Sequence, residues 1–367
     1  MTNSTDLLAA LAGLEPGSEL AQAREVREAA TRHAQGSYQL LFGQSDDDFS
    51  LAERFAIAAL VAGRQGAADL QAHYAQRAQP LDNSPRHQLA LEFARRLTLE
   101  PVSAGPQHIA ALADAGWRAR AIVTLAQLVG FVNFQLRLLA GLHLLQGESL
   151  SRENHSAGTA SRWHTASRTA SGKPAPDAFT RRQLGWEPWL AAKPLAEFSE
   201  QEQATLAHFG HSDSDYFRLL GRNLPLLEQR TLTDKGIFYS AGGLARAERE
   251  LAATVASKVN GCIYCASVHA RKAAQLAKES DAIDRLLDVQ PGAALSENQS
   301  PRWAALIDFA AGLSATPVNV TSTQLQQVRA QGLTTLELLD LVQSTAFFAW
   351  ANRLMLTLGE PFLLTDN

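Results

Sequence analysis

The stretch ERELAATVASKVNGCIYCASVH, residues 248–269, holds the only two cysteines of the 367-residue chain, Cys262 and Cys265, two residues apart. Asn260-Gly261 is a turn signal between two segments of helical apolar spacing, so one helix stops there and Cys262 opens the next. At 3.6 residues per turn, Cys262, Cys265 and His269 then fall within an arc of about 60°. One face carries two thiols and an imidazole. A helix N-terminus stabilises negative charge and eases deprotonation of a thiol placed on it, so the pair reads as redox-active. Three plainer readings stand beside it: two small buried hydrophobes, half a zinc site, or a static disulfide. Zinc would lack a fourth ligand, because the chain has no second cysteine pair.

Outward from this stretch the chain reads as helix. Residues 51–78, 86–97, 108–115 and 118–145 have apolar residues at helical spacing, separated by Pro, Gly and Asp/Asn clusters, and a short opening helix ends at Pro16-Gly17. No stretch alternates with the period of a strand, which predicts an all-α fold. An internal repeat organises it. Ala52-Glu53-Arg54 recurs as Ala247-Glu248-Arg249, 195 residues on, with Gly66 falling on Gly261. Ser84-Pro85-Arg86 recurs as Ser300-Pro301-Arg302, 216 residues on, and the register holds from Phe93/Phe309 to Phe131/Phe347 and Arg137/Arg353. The expectation is two tandem copies of one helical domain, 1–150 and 179–367, joined by a flexible linker at 151–178. The extra 21 residues of the second copy fall around 282–298 and read as a surface loop. In the first copy Glu250 is matched by Phe55, Cys262 by Ala67, Cys265 by Leu70 and His269 by Tyr74. Groups needed for folding should appear in both copies, so these four point to chemistry, and the first copy is expected to be catalytically silent.

Glu250, eleven residues, Cys262-Ile263-Tyr264-Cys265, three residues and His269 together resemble the core motif of the alkylhydroperoxidase D-like family, within the carboxymuconolactone decarboxylase-like superfamily. The resemblance implies Cys265 as the peroxidatic thiol, Cys262 as the partner that closes the disulfide, and Glu250 with His269 as a proton relay. It also implies a homo-oligomer, here a dimer or trimer of two-copy chains, with no metal or organic cofactor. Tyr264 departs from the pattern, since the best-known members have a histidine there. A phenol with a pKa near 10 donates a hydrogen bond but is no base near neutrality, so Tyr264 assists a shortened relay at most.

The remaining features set limits. A net charge of −4 with interspersed signs leaves no nucleic-acid footprint. Polar residues interrupt the apolar run 121–145, which reads as a buried helix and not a membrane span. The opening MTNST has neither basic nor apolar signal region, so a cytoplasmic protein is expected. His155 and His164 in the linker lack ligand spacing and read as solvated residues. Trp186-Glu187-Pro188-Trp189 reads as a turn, and Phe238 or Tyr239 as walls of a substrate pocket. Arg137 and Arg353, each in a long apolar helix, are expected to pair with Glu53 or Glu248. The function expected is reduction of hydroperoxides by the Cys262/Cys265 pair, recycled by an external thiol reductant or redox adaptor protein. The alternatives are a decarboxylase-like lyase and a non-catalytic redox sensor.

Overall fold

The computed structural model describes residues 6–43, 48–148, 159, 161–163 and 166–364. The order begins with α1 (Leu7–Leu11), α2 (Glu19–Val26), α3 (Glu28–Phe42), α4 (Leu51–Arg64), α5 (Ala68–Ala75), α6 (Pro85–Leu99), α7 (Pro106–Asp114) and α8 (Ala119–Leu145). Then come β1 (Leu184–Pro188), α9 (Glu200–His208), α10 (Asp215–Leu220), α11 (Leu224–Phe238), α12 (Arg246–Asn260) and α13 (Ile263–Ala277). The chain continues with α14 (Ser280–Asp288), α15 (Pro301–Ser314), α16 (Ser322–Ala330), α17 (Thr335–Thr357) and β2 (Gly359–Leu363). The protein is predominantly helical.

Four sequence expectations are corrected. The segment 51–78 is two helices, because Gly66 takes a left-handed φ of 71° between α4 and α5, as Gly261 does at 76° between α12 and α13. The fold is not purely α: residues 184–188, which include Trp186-Glu187-Pro188 of the expected turn, pair antiparallel with 359–363, Trp186 opposite Pro361. Their extended backbone is supplied from far along the chain, so no local periodicity announces it. The segment 282–298 is not all loop. Ala282, Ile283, Leu286 and Leu287 give α14 a buried stripe, and Lys258 Nζ donates to the carbonyls of Leu287 (2.6 Å) and Val289 (2.8 Å) at its C-terminal end. The linker is pinned where it is described: Ser161 donates to the Lys258 carbonyl, and Leu363 donates to that of Pro174. His155 and His164 lie outside the described residues.

α8 and α17 form the centre. Almost every side chain of both is buried, so α8, although long and apolar enough to cross a membrane, is a core helix of this structure. Trp350 seals the pair, its indole donating to Gln127 Oε1 at 2.8 Å and its ring lying edge-on to Phe131 at 5.2 Å. Among the described residues no carboxylate pairs with Arg137 or Arg353. Arg137 donates to the carbonyls of Ser314 (3.2 Å) and Ala315 (3.1 Å) at the C-terminal end of α15, and Arg353 to that of Thr98 (3.0 Å) in the last turn of α6. Helix C-termini leave carbonyls unpaired, and these two buried cations satisfy them across the molecule. Glu53 and Glu248 are taken by residues nearer to them: Glu53 by Arg86 and His87, Glu248 by Arg302 in a two-pronged pair at 2.6 and 2.8 Å.

A second buried knot fixes the start of α12. Asp340 of α17, fully buried, accepts from Arg27 (2.6 and 2.9 Å), Arg249 (3.0 Å) and the Leu244 backbone (2.9 Å). The same two arginines hold carbonyls between Ile237 and Leu244, so the loop that leads into α12 is clamped, in part by Arg249, the residue before Glu250.

Candidate active site

Glu250 lies in the second turn of α12, fully buried. A carboxylate there must be paired, and it is. One oxygen receives Arg246 Nε at 2.6 Å from one turn back, and the other meets His269 Nδ1 at 2.5 Å. Burial pushes the Glu250 carboxyl upward, but the hydrogen bond and charge of His269 and the charge of Arg246 outweigh it and hold it below the ordinary carboxylate range. An ionised carboxylate only accepts, so Nδ1 carries the proton and Nε2 is left as the free imidazole nitrogen. Phe348 lies edge-on to the imidazole at 4.4 Å and Phe238 at 6.0 Å, walling this side. The His269 side chain keeps 19% of its surface exposed, giving the pair an opening to solvent.

The left-handed Gly261 ends α12, and Cys262 is the N-cap residue of α13. A Cβ at Gly261 would strike Val102 and sit 2.9 Å from the Arg162 carbonyl, so glycine is required both by φ and by packing. Cys262 and Cys265 are free thiols, both buried. Burial raises the Cys262 thiol well above its ordinary pKa, and the neighbouring Cys265 raises it further. For Cys265 burial also pushes upward, but contact with the Cys262 thiol, the charge of His269, the Asn352 amide and the charge of Arg230 turn the balance, and its pKa is lowered. Proximity to the helix terminus alone favours Cys262. The surroundings reverse that order, because the groups that stabilise a thiolate gather around Cys265.

Of the five residues singled out by sequence, the structure brings Glu250 and His269 into direct contact and sets Cys265 where the charge of His269 reaches it. Tyr264 stands apart. Among the described hydrogen bonds none joins its hydroxyl to Glu250 or His269, and it helps line a different space. That space is a solvent-open cleft of about 550 Å³ beside Cys262, walled by Val102, Trp189, Ile263, Tyr264, Met355 and Glu360 among others. Tyr239, the other candidate wall, is 61% exposed, with the guanidinium of Arg246, the partner of Glu250, 4.0 Å over its ring.

Three participants escaped the sequence reading. Arg246 holds Glu250 ionised. Asn352 of α17 donates to Ser257 (3.0 Å), accepts from Asn260 (3.0 Å) and reaches both thiols. Asp234 of α11 lies within reach of the charges of Arg230, His269 and Glu250, and burial raises its carboxyl pKa. A signal for Asn352 was present: the residue 216 positions earlier is Leu136, the same polar-for-apolar exchange that marks the cysteines.

Comparison with protein families matches residues 225–311, less than half of the chain, to the carboxymuconolactone decarboxylase family. A carboxymuconolactone decarboxylase/alkylhydroperoxidase D-like domain is present in that region, and Glu250, both cysteines and His269 all lie within it. No curated protein matches the chain.

Proposed function

We propose that the protein is a thiol-dependent peroxidase working through Cys265 and Cys262. The observation that carries this reading is the arrangement of groups at the start of α13: two free, buried thiols three positions apart, with His269 on the same helix held by the buried Glu250 carboxylate at 2.5 Å. The Cys265 thiolate attacks the terminal oxygen of a hydroperoxide, the O–O bond breaks, and an alkoxide or hydroxide leaves and takes a proton delivered through His269. The Cys265 sulfenic acid then condenses with the Cys262 thiol to a disulfide, releasing water, and an external thiol or redox adaptor protein reduces the disulfide. Glu250 keeps the imidazole oriented and favours its protonated form during transfer.

Two further parts of the reading rest on parallels between the halves. The chain is a pair of related helical units, supported by the left-handed glycines 66 and 261, the serine caps Ser84 and Ser300, and the matched pairs Arg86–Glu53 and Arg302–Glu248. Phe55, Leu70 and Tyr74, opposite Glu250, Cys265 and His269, are buried in the core of the first unit, which leaves it without redox groups. Such chains would assemble as a homo-oligomer in the cytoplasm. A thiol count before and after tert-butyl hydroperoxide, followed by turnover with dithiothreitol, tests the function. Loss of both thiols with sustained peroxide consumption supports a peroxidase. Loss without turnover indicates a redox sensor, and unreactive thiols leave a lyase.

A further inference from the structure

The cleft beside Cys262 is walled by distant parts of the chain. Val102 and Ala104 come from the turn after α6, Ala175 and Pro176 from the segment before β1, and Met355 and Pro361 from the end of α17 and from β2. Hydrogen bonds fix these walls in place. The Trp189 backbone donates to the Leu358 carbonyl and that of Leu363 to the Pro174 carbonyl, each at 2.8 Å, and the Trp186 indole donates to the Met355 carbonyl at 3.1 Å. Val102 lies so close to Gly261 that no Cβ fits between them. The cleft is therefore preformed, and its 550 Å³ is the size that takes a small organic molecule. Its lining is mostly apolar. Among the described residues that line it, Cys262 is the one redox group and Glu360 the one charged group; Cys265, His269 and Glu250 are not among them. The Glu360 carboxylate is anchored at the wall, accepting from the Trp189 indole (2.9 Å) and the Ala170 backbone (2.7 Å).

A molecule in the cleft thus meets Cys262 and not Cys265. Thiol–disulfide exchange is a displacement at sulfur whose course depends on which sulfur the attacking thiolate can reach. We propose that this cleft is the reductant site, and that it admits an uncharged, largely apolar thiol, which attacks Cys262 of the oxidised pair. This rests on the peroxidase reading and names its class of reductant. The reductant thiolate forms a bond to the Cys262 sulfur, the Cys262–Cys265 bond breaks, and its electron pair leaves on the Cys265 sulfur, whose lowered pKa suits it to leave. A second reductant thiolate then attacks the reductant's own sulfur in the mixed disulfide, and Cys262 departs as a thiolate that takes a proton. Two reductant thiols are oxidised to one disulfide as the protein pair is reduced. Glu360 repels a thiol that carries a carboxylate.

The test uses the full chain, its thiols oxidised with diamide so that no peroxide chemistry is needed. Re-reduction by neutral 2-mercaptoethanol and by anionic 3-mercaptopropionate is timed in the parent, Glu360→Gln and Ala175→Trp, each rate divided by that of the same thiol with hydroxyethyl disulfide. In the parent the neutral thiol should be favoured by about five- to tenfold, the effect of one nearby charge in a solvent-open site. Glu360→Gln should close most of that gap, and Ala175→Trp, which fills the cleft, should slow both thiols by about tenfold. In parent samples alkylated part-way through reduction, mass spectrometry should find mercaptoethanol on Cys262 and the alkyl group on Cys265. Equal normalised rates in the parent, a gap that Glu360→Gln leaves intact, an Ala175→Trp protein reduced as fast as the parent, or mercaptoethanol carried on Cys265 overturns the proposal. Should Ala175→Trp fail to fold, the Glu360→Gln comparison decides. Thiols that resist peroxide, with a diamide-formed disulfide that shows this selectivity, refute the peroxidase reading and leave the reductant cleft standing; failure of diamide to join the thiols refutes both.

Discussion

At the scale of single residues, the site depends on a carboxylate that stays charged inside the protein. Glu250 is wholly buried, yet its folded-state pKa lies below the ordinary value because His269 and Arg246 overcome desolvation. A carboxylate whose pKa is lowered by folding stabilises the fold fully above its unfolded pKa of about 4.3, and that contribution is lost as pH falls through the lowered folded value. Glu250→Gln should therefore cost about 1–3 kcal/mol in urea unfolding at pH 7, with the gap to wild type narrowing in acid below the folded pKa. The same change should slow Cys265 oxidation by about 10²-fold, since the imidazole loses its orienting base. An equal stability gap at pH 7 and at strongly acidic pH would show that the carboxylate is not ionised in the fold. The sequence singled out Glu250, both thiols and His269 as candidates because their spacing is local to two adjoining helices. It could not reveal Arg246's grip on Glu250 or the reach of Asn352, which depend on side-chain direction and on a helix some 90 residues away.

At the scale of elements, the helix–glycine–helix unit was legible because its signals are written in neighbouring residues: a turn dipeptide, then apolar spacing on either side. The β1–β2 ribbon was not, since its two strands are about 175 residues apart and each is half exposed. α14 was missed although its buried positions 282, 283, 286 and 287 have helical spacing, because the repeat marked that segment as an insertion and insertions read as loops. Lys258 ties this helix to α12 with its ammonium buried, and desolvation lowers its pKa to about 8. Between that value and the unfolded one near 10.4, the unfolded chain binds more protons than the folded one, so this residue makes stability rise with pH across that window. Lys258→Met should flatten the rise, measured as thermal midpoints from pH 7.5 to 10.5. A slope unchanged by the substitution would mean that the lysine does not lose its proton there.

At the scale of the whole molecule, buried cations tie the helices of the first 150 residues to α15 and α17. Asp340 is the most connected point: Arg27 reaches it from the start of α3 and Arg249 from beside Glu250. Asp340→Asn keeps the shape but leaves two buried guanidinium groups without a counter-charge, and should cost about 3–5 kcal/mol. Because the clamped turn leads directly into α12, the same variant should slow Cys265 oxidation as well, although it lies outside the thiol site. Near-wild-type stability in chemical denaturation would contradict this account of how those ties hold the site. The internal repeat found Arg137 and Arg353 as a matched pair but misjudged their partners, since it weighed carboxylates and overlooked the free carbonyls at two helix ends.

The central claim is that Cys265 attacks and Cys262 resolves. Trapping of sulfenic acid with dimedone, read by peptide mass spectrometry after one equivalent of hydroperoxide, measures it directly in two variants. The account predicts a dimedone adduct on Cys265 in the Cys262→Ser protein, with no turnover, and none on Cys262 in the Cys265→Ser protein. An adduct on Cys262 in Cys265→Ser, formed as fast as the wild-type thiols are lost, would contradict it and make Cys262 the attacking thiol.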